Sequence, residues 1–183
     1  MRFLQIRAKQ ASSGALLAAA EAIVRHAEGS GALIVVNDRA DVARLAGAGG
    51  VHVGQDDLPA AQARAILGPA ACVGLSTHTL DQIARGLQEP VDYLAIGPVF
   101  GTATKATGYE AVGLNMVTDA AAALKSRGLP LVAIGGITLE RATDVLLAGA
   151  TSVAVISDLF TGGDSRARIR QYLERLAGST SGG

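Results

Sequence analysis

Cysteine, tryptophan, long apolar runs and an excess of either charge are what this sequence lacks. Its one cysteine, Cys72, excludes an internal disulfide, and inside "AACVGLS" it reads as a small buried hydrophobe rather than a nucleophile. With no tryptophan and only 3% aromatic residues, the stacking platform used on single-stranded nucleic acid is missing. Sixteen basic residues balance sixteen acidic ones, so there is no basic footprint and no nucleic-acid partner is expected. No apolar run reaches membrane-spanning length and the N-terminus has no signal-peptide layout. A cytoplasmic protein with no membrane partner is therefore expected.

What is present is a globular composition, 49% apolar and 17% charged, in 183 residues. That length suits one domain with a sizeable core, placed at residues 1–178, with 179–183 a flexible tail. Short apolar runs recur: "FLQIRAK" (3–9), "ALIVVND" (32–38), "GVHVGQ" (50–55), "CVGLSTH" (72–78), "YLAIGPVF" (93–100), "PLVAIGGI" (130–137) and "TSVAVIS" (151–157). Several are rich in Val and Ile and nearly free of charge, as strands covered on both faces should be. Between them lie Ala/Leu-rich segments of helical pattern, and "SRARIRQYLERLAG" supplies a last helix. Alternation of this kind predicts one parallel sheet.

An open nucleotide-binding sheet should carry a Gly-rich fingerprint after its first strand, and none is present. Polar residues instead recur at every strand's C-terminal end, the layout of a (β/α)₈ TIM barrel whose strand ends share one mouth. Seven strand–helix units are visible where such a barrel has eight. Either an N-terminal unit is absent from this chain, which is the first expectation, or the barrel is open or completed by a partner.

The strand ends suggest an anion site assisted by a metal. Gln5, Arg7 and Lys9 fall at i, i+2 and i+4, on one face of an extended segment, as an anion-binding rail; the alternative is a solvated, charge-guarded edge strand. "IVVNDR" ends a core strand in Asn37, Asp38 and Arg39, and the next strand ends in "GQDD", with Asp56 and Asp57. Asp38 and Asp57 either cap the helices that follow or share a divalent cation such as Mg²⁺, which takes one or two carboxylates and fills its other positions with water and phosphate oxygens. "GPVFGTATKATGYEAVGL" (97–114) is long for such a domain, with hydroxyls at Thr102 and Thr104, a cation at Lys105, and Gly101 and Gly108 as flexible points. The "AIGGI" and "VAVIS" ends place Gly136 and Ser157 where barrels often build a phosphate site, with tight packing the competing reading of the glycines. His26 reads as surface and His52 as structural, while His78 stands at a strand end with a chance of touching substrate.

Taken together, "QIRAK", "NDRADVA", "GVHVGQDD", "GLSTH", "GPVFGTATK", "AIGGI" and "VAVIS", in this order over nearly the whole chain, resemble the thiamine-phosphate synthase family. The resemblance implies condensation of a pyrimidinylmethyl diphosphate with thiazole phosphate to give thiamine phosphate and pyrophosphate. It implies that Gln5, Arg7, Lys9, Asn37, Ser76 and Lys105 bind the diphosphate, with Lys105, Arg7 and Ser76 catalytic. Asp38 and Asp57 would hold Mg²⁺, and Thr102, Thr104, Gly136, Ile156 and Ser157 the thiazole phosphate. The partners are then small phosphorylated molecules, with a homodimer left open. Two rivals remain: a thiazole tautomerase-like paralogue, and a non-catalytic barrel that binds a phosphorylated metabolite.

Overall fold

The structure, a computed structural model, describes residues 2–101 and 110–177. Thr102, Thr104, Lys105 and Gly108 lie outside them, as does the expected tail at 179–183. The described residues contain seven strands: β1 (Arg2–Ile6), β2 (Ala32–Asn37), β3 (Gly50–Val53), β4 (Cys72–Thr77), β5 (Tyr93–Ile96), β6 (Leu131–Ile134) and β7 (Ser152–Ala154). Seven α-helices follow them in turn: α1 (Ser13–Ala27), α2 (Ala40–Leu45), α3 (Ala60–Leu67), α4 (Leu80–Gly86), α5 (Gly113–Leu124), α6 (Leu139–Leu147) and α7 (Ser165–Ala177). All seven runs expected to be strands are strands, and each expected helical segment is a helix. No helix among the described residues is long and apolar enough to cross a membrane.

The chain divides into two compact units, residues 1–76 with 88–93, and residues 77–87 with 94–183. In the first, β1, β2, β3 and β4 pair in parallel in chain order, with Val36 opposite Val51 and Val51 opposite Val73. Ile34, Val35, Val36, Val51, Val53 and Val73 are buried, because β-branched side chains suit a pleated surface covered on both sides. β1 differs: Phe3 and Leu4 are 45% and 48% exposed, and Ile6 is its one buried apolar residue. It also ends earlier than the sequence suggests. The expected run to Lys9 stops at Ile6, and residues 8–11 form a turn closed by the Ala11 N–H on the Ala8 carbonyl (3.0 Å). Arg7 and Lys9 are thus loop residues beyond the strand, and the rail of three side chains on one strand face is corrected to Gln5 alone on β1.

In the second unit β5, β6 and β7 are also parallel and in chain order. β5 is buried at all four positions. The segment after β5 is tied to the end of β6, with the Val99 N–H on the Ile134 carbonyl and the Phe100 N–H on the Gly135 carbonyl. Its far side is tied back by the Val112 and Gly113 N–H groups, which donate to the carbonyls of Pro98 and Val99. After β7 a short 3₁₀ turn, Ser157–Phe160, is anchored by Asp158, which is 8% exposed. Its carboxylate accepts from Tyr172 Oη (2.6 Å), Arg168 (2.9–3.1 Å) and the Leu139 N–H (3.2 Å). A buried carboxylate needs such partners, and they fix the turn carrying Ser157 against α6 and α7.

Helix ends follow local chemistry. Ser12 caps α1 by accepting from the Ala15 N–H, and Thr79 caps α4 by accepting from the Gln82 N–H, while the Gln82 carbonyl reaches back to the His78 N–H.

Candidate functional site

At the end of β2 the chain turns sharply, and Asp38 takes φ = 64°. A residue other than glycine is uncommon there and marks a position that its surroundings dictate. Asp38 does not cap the following helix: Arg39 holds the cap position of α2 and no side chain caps it. Instead the Asp38 carboxylate pairs with Lys9 Nζ at 2.8 Å. Arg39 turns away from this group, forking onto Asp41 (2.6 and 2.8 Å) and reaching Ser13 (3.0 Å).

Asp57 is placed by its own loop. Its Oδ2 accepts from the Gly54 N–H at 2.8 Å, and a β-carbon at position 54 would come within 2.9 Å of that oxygen. The cap of α3 is Pro59, with no side-chain hydrogen bond, so Asp57 does not cap that helix either. Burial pushes the Asp57 carboxyl above the usual carboxylate range, and a hydrogen bond with the Asp38 carboxyl pushes it further; the Gly54 N–H and Lys9 pull the other way. Two carboxyl groups close enough to share a proton, with one lysine beside them, form a site short of positive charge. Asp56 beside them is exposed, and no cluster of three or more potential metal ligands occurs among the described residues. Two carboxylates fit Mg²⁺, whose remaining positions belong to water and substrate oxygens, better than a metal that wants a full protein cage.

Around this pair the first unit presents further polar groups. Asn37 is half-buried and lies opposite His52 in register, and Gln5 and Arg7 are exposed. Ser76 is half-buried near the end of β4, with its carbonyl accepting from Gln55 Nε2 at 2.7 Å and its hydroxyl 2.8 Å from His52 Nε2. His52 is buried mid-strand, as the structural reading has it, and it contacts both Ser76 and Tyr93, a point the sequence did not reveal. The available signal was one polar residue inside "GVHV", a strand buried at all four positions.

Among the described residues the second unit offers no comparable cluster of charge at its strand ends. Gly135 and Gly136 have φ of 102° and 60°. A β-carbon on Gly135 would stand 2.5 Å from Pro98, and one on Gly136 would stand 2.6 Å from the Gly101 carbonyl oxygen. Tight packing therefore accounts for both glycines, and any phosphate role would be additional to it. Ile156 and Ser157 are exposed, at the start of the turn that Asp158 anchors. His78 Nδ1 donates to the Gly97 carbonyl. His26 is exposed on α1, as expected. Cys72 is half-buried, and burial pushes its thiol up to about 11, consistent with an inert residue.

Known proteins resemble this chain over most of its length. A family model described as thiamine monophosphate synthase matches residues 1–159. The thiamine-phosphate synthase of Chlorobium luteolum is 44% identical over 154 residues, 84% of this chain and 71% of its own. That of Methanoculleus marisnigri is 42% identical over 180 residues, 98% of this chain and 84% of its own. Among solved structures, the thiamine phosphate pyrophosphorylase from Pyrococcus furiosus superposes with a TM-score of 0.88 at 28% identity, covering 98% of this chain and 84% of that one. The seven strand–helix units are thus α/β of the TIM-barrel class. A family model spanning most of the chain, and relatives above 40% identity over most of their own length, carry one conclusion: the chain belongs to the thiamine monophosphate synthase family.

Proposed function

We propose that this chain is a thiamine-phosphate synthase, an alkyl transferase that joins a pyrimidinylmethyl diphosphate to thiazole phosphate and releases pyrophosphate. The observation that carries this reading is the meeting of the Asp38 and Asp57 carboxyl groups beside Lys9. Neither an isomerase nor a passive binder has use for two repelling carboxylates next to a cation, and the curated relatives are named as synthases.

Reaction of these substrates breaks the bond between the pyrimidine methylene carbon and the diphosphate oxygen, and the electron pair leaves with pyrophosphate. The thiazole nitrogen then gives its lone pair to that carbon. No protein nucleophile is needed, so catalysis rests on placing the reactants and stabilising the leaving charge. Mg²⁺ held by Asp38 and Asp57 would neutralise that pair and supply positive charge to diphosphate oxygens. Arg7, with a planar fork, and Lys9, a point charge, bind the same oxygens from the loop after β1. Asn37, Gln5 and the Ser76 hydroxyl add neutral hydrogen bonds. Lys105, assigned by the sequence motif alone, supplies a further cation to the leaving group. Gly136, Ile156 and Ser157, with Thr102 and Thr104 by the same motif, take the thiazole phosphate.

The purified chain should release pyrophosphate only when both substrates and Mg²⁺ are present. Lys105→Ala or Asp38→Ala should lower that rate by about 100-fold or more with little change in unfolding temperature. Thiazole isomerisation without pyrophosphate, or binding of thiazole phosphate with no product, would replace the synthase reading with one of its rivals.

A further inference from the structure

Within the first unit a line of hydrogen bonds leads from Tyr93 through His52 to Ser76. His52 is 7% exposed, with Nδ1 2.8 Å from Tyr93 Oη and Nε2 2.8 Å from Ser76 Oγ. The imidazole lies nearly parallel to the Tyr93 ring, at 21° with centroids 5.4 Å apart, and Phe3 meets that ring edge-on at 5.5 Å. Gly74 leaves the room required, since a β-carbon there would fall inside the Tyr93 ring. Tyr93, 6% exposed, is locked by this packing.

The direction of each bond follows from counting protons. Burial pushes the Tyr93 phenol above its ordinary range, so the hydroxyl keeps its proton. That hydroxyl lies 2.8 Å from His52 Nδ1, its hydrogen-bonded neighbour, and a buried O–H left unpaired is costly. The single phenolic proton is then directed to His52 Nδ1. A neutral imidazole that accepts at one nitrogen carries its proton on the other, so Nε2–H donates to Ser76 Oγ. With its oxygen accepting from the protein, the Ser76 hydroxyl keeps its own proton for another acceptor.

We propose that Tyr93 and His52 form a one-directional relay that fixes the Ser76 hydroxyl as a donor to the bound pyrimidine diphosphate, both acting as positioning residues. The inference rests on the reading above that Ser76 meets that substrate. A serine free to rotate would spend part of its time donating to the imidazole instead. Held by the relay, it offers its proton in advance, which is the preorganisation that favours charge developing on a leaving group.

Two experiments test it. On the wild-type protein at pH 8, ¹⁵N–¹H correlation of the histidine rings should show His52 protonated at Nε2 and bare at Nδ1, assigned by loss of the signal in His52→Gln. A proton on Nδ1 overturns the relay whatever the kinetics. In turnover, Ser76→Ala should lower kcat by about 100-fold, and Tyr93→Phe by about tenfold with KM for thiazole phosphate unchanged. The double variant Tyr93→Phe/Ser76→Ala should be no slower than Ser76→Ala, and His52→Gln, which keeps a donor and an acceptor, should outperform His52→Leu. Wild-type turnover in Ser76→Ala removes the substrate contact itself. A slow Ser76→Ala with a normal Tyr93→Phe, or with additive effects in the double variant, keeps the contact and removes the relay.

Discussion

In the first unit the strands lead into Arg7, Lys9, Asn37, Asp38, Asp57 and Ser76, and among these Lys9, Asp38 and Asp57 bear on one another by charge. In the second, β6 and β7 lead into Gly135, Gly136, Ile156 and Ser157, and Asp158, the one buried carboxylate among the described residues, is occupied in anchoring a turn. A region built from charge can bind a highly charged diphosphate and a metal, but only by accepting repulsion in the empty state. A region built from backbone binds a single phosphate at little electrostatic cost, and its constraint is steric.

The sharpest way to break this contrast is Asp57→Asn. It should cost about 100-fold or more in kcat, because the shared carboxylate pair is lost. In buffer without divalent cations the same variant should unfold at a higher temperature than wild type. The sign follows from the raised Asp57 pKa: folding favours its protonated form, so the charged carboxylate costs stability as pH rises through its titration, and Asn removes that cost. A lower unfolding temperature, or unchanged turnover, would mean that the pair is not strained by repulsion.

A smaller effect is expected from Gly136→Ala in the second unit. With φ at 60° and a carbonyl oxygen 2.6 Å from the new β-carbon, the change should destabilise by about 1–3 kcal/mol. It should raise KM for thiazole phosphate roughly tenfold while leaving KM for the diphosphate substrate near wild type, which steady-state kinetics can separate. Equal change in both constants would dissolve the distinction between the two regions.

The smallest effect concerns Cys72, which belongs to neither site. With its thiol pushed up to about 11, alkylation should be slow at pH 8 and should rise with a midpoint about two pH units above that of a free cysteine. Cys72→Ala should leave turnover unchanged, as followed by pyrophosphate release.

Much of this was legible from residue order. The Val/Ile runs of β2, β3 and β4 announced themselves because strands covered on both faces tolerate almost no charge. β1 was overrun by three residues because "RAK" continues an alternating pattern that the chain abandons once Lys9 can reach Asp38. Asp38 and Asp57 had two equal readings, cap or ligand, since both uses place an acid just before a helix. Their hydrogen-bond partners removed the first, since neither carboxylate caps its helix. His52 was set down as structural because a lone buried histidine usually is, and nothing in "GVHV" points to a serine and a tyrosine from other strands.

Sequence alone determined the elements and the family, because hydrophobic periodicity and local motifs are properties of neighbours along the chain. Tertiary structure alone decided which side chains meet: Lys9 with Asp38, Asp38 with Asp57, and Tyr93 with His52 with Ser76. Those meetings join residues 19 to 41 positions apart. Electrostatics and hydrogen bonding depend on separation in space, which strand pairing sets and sequence spacing does not.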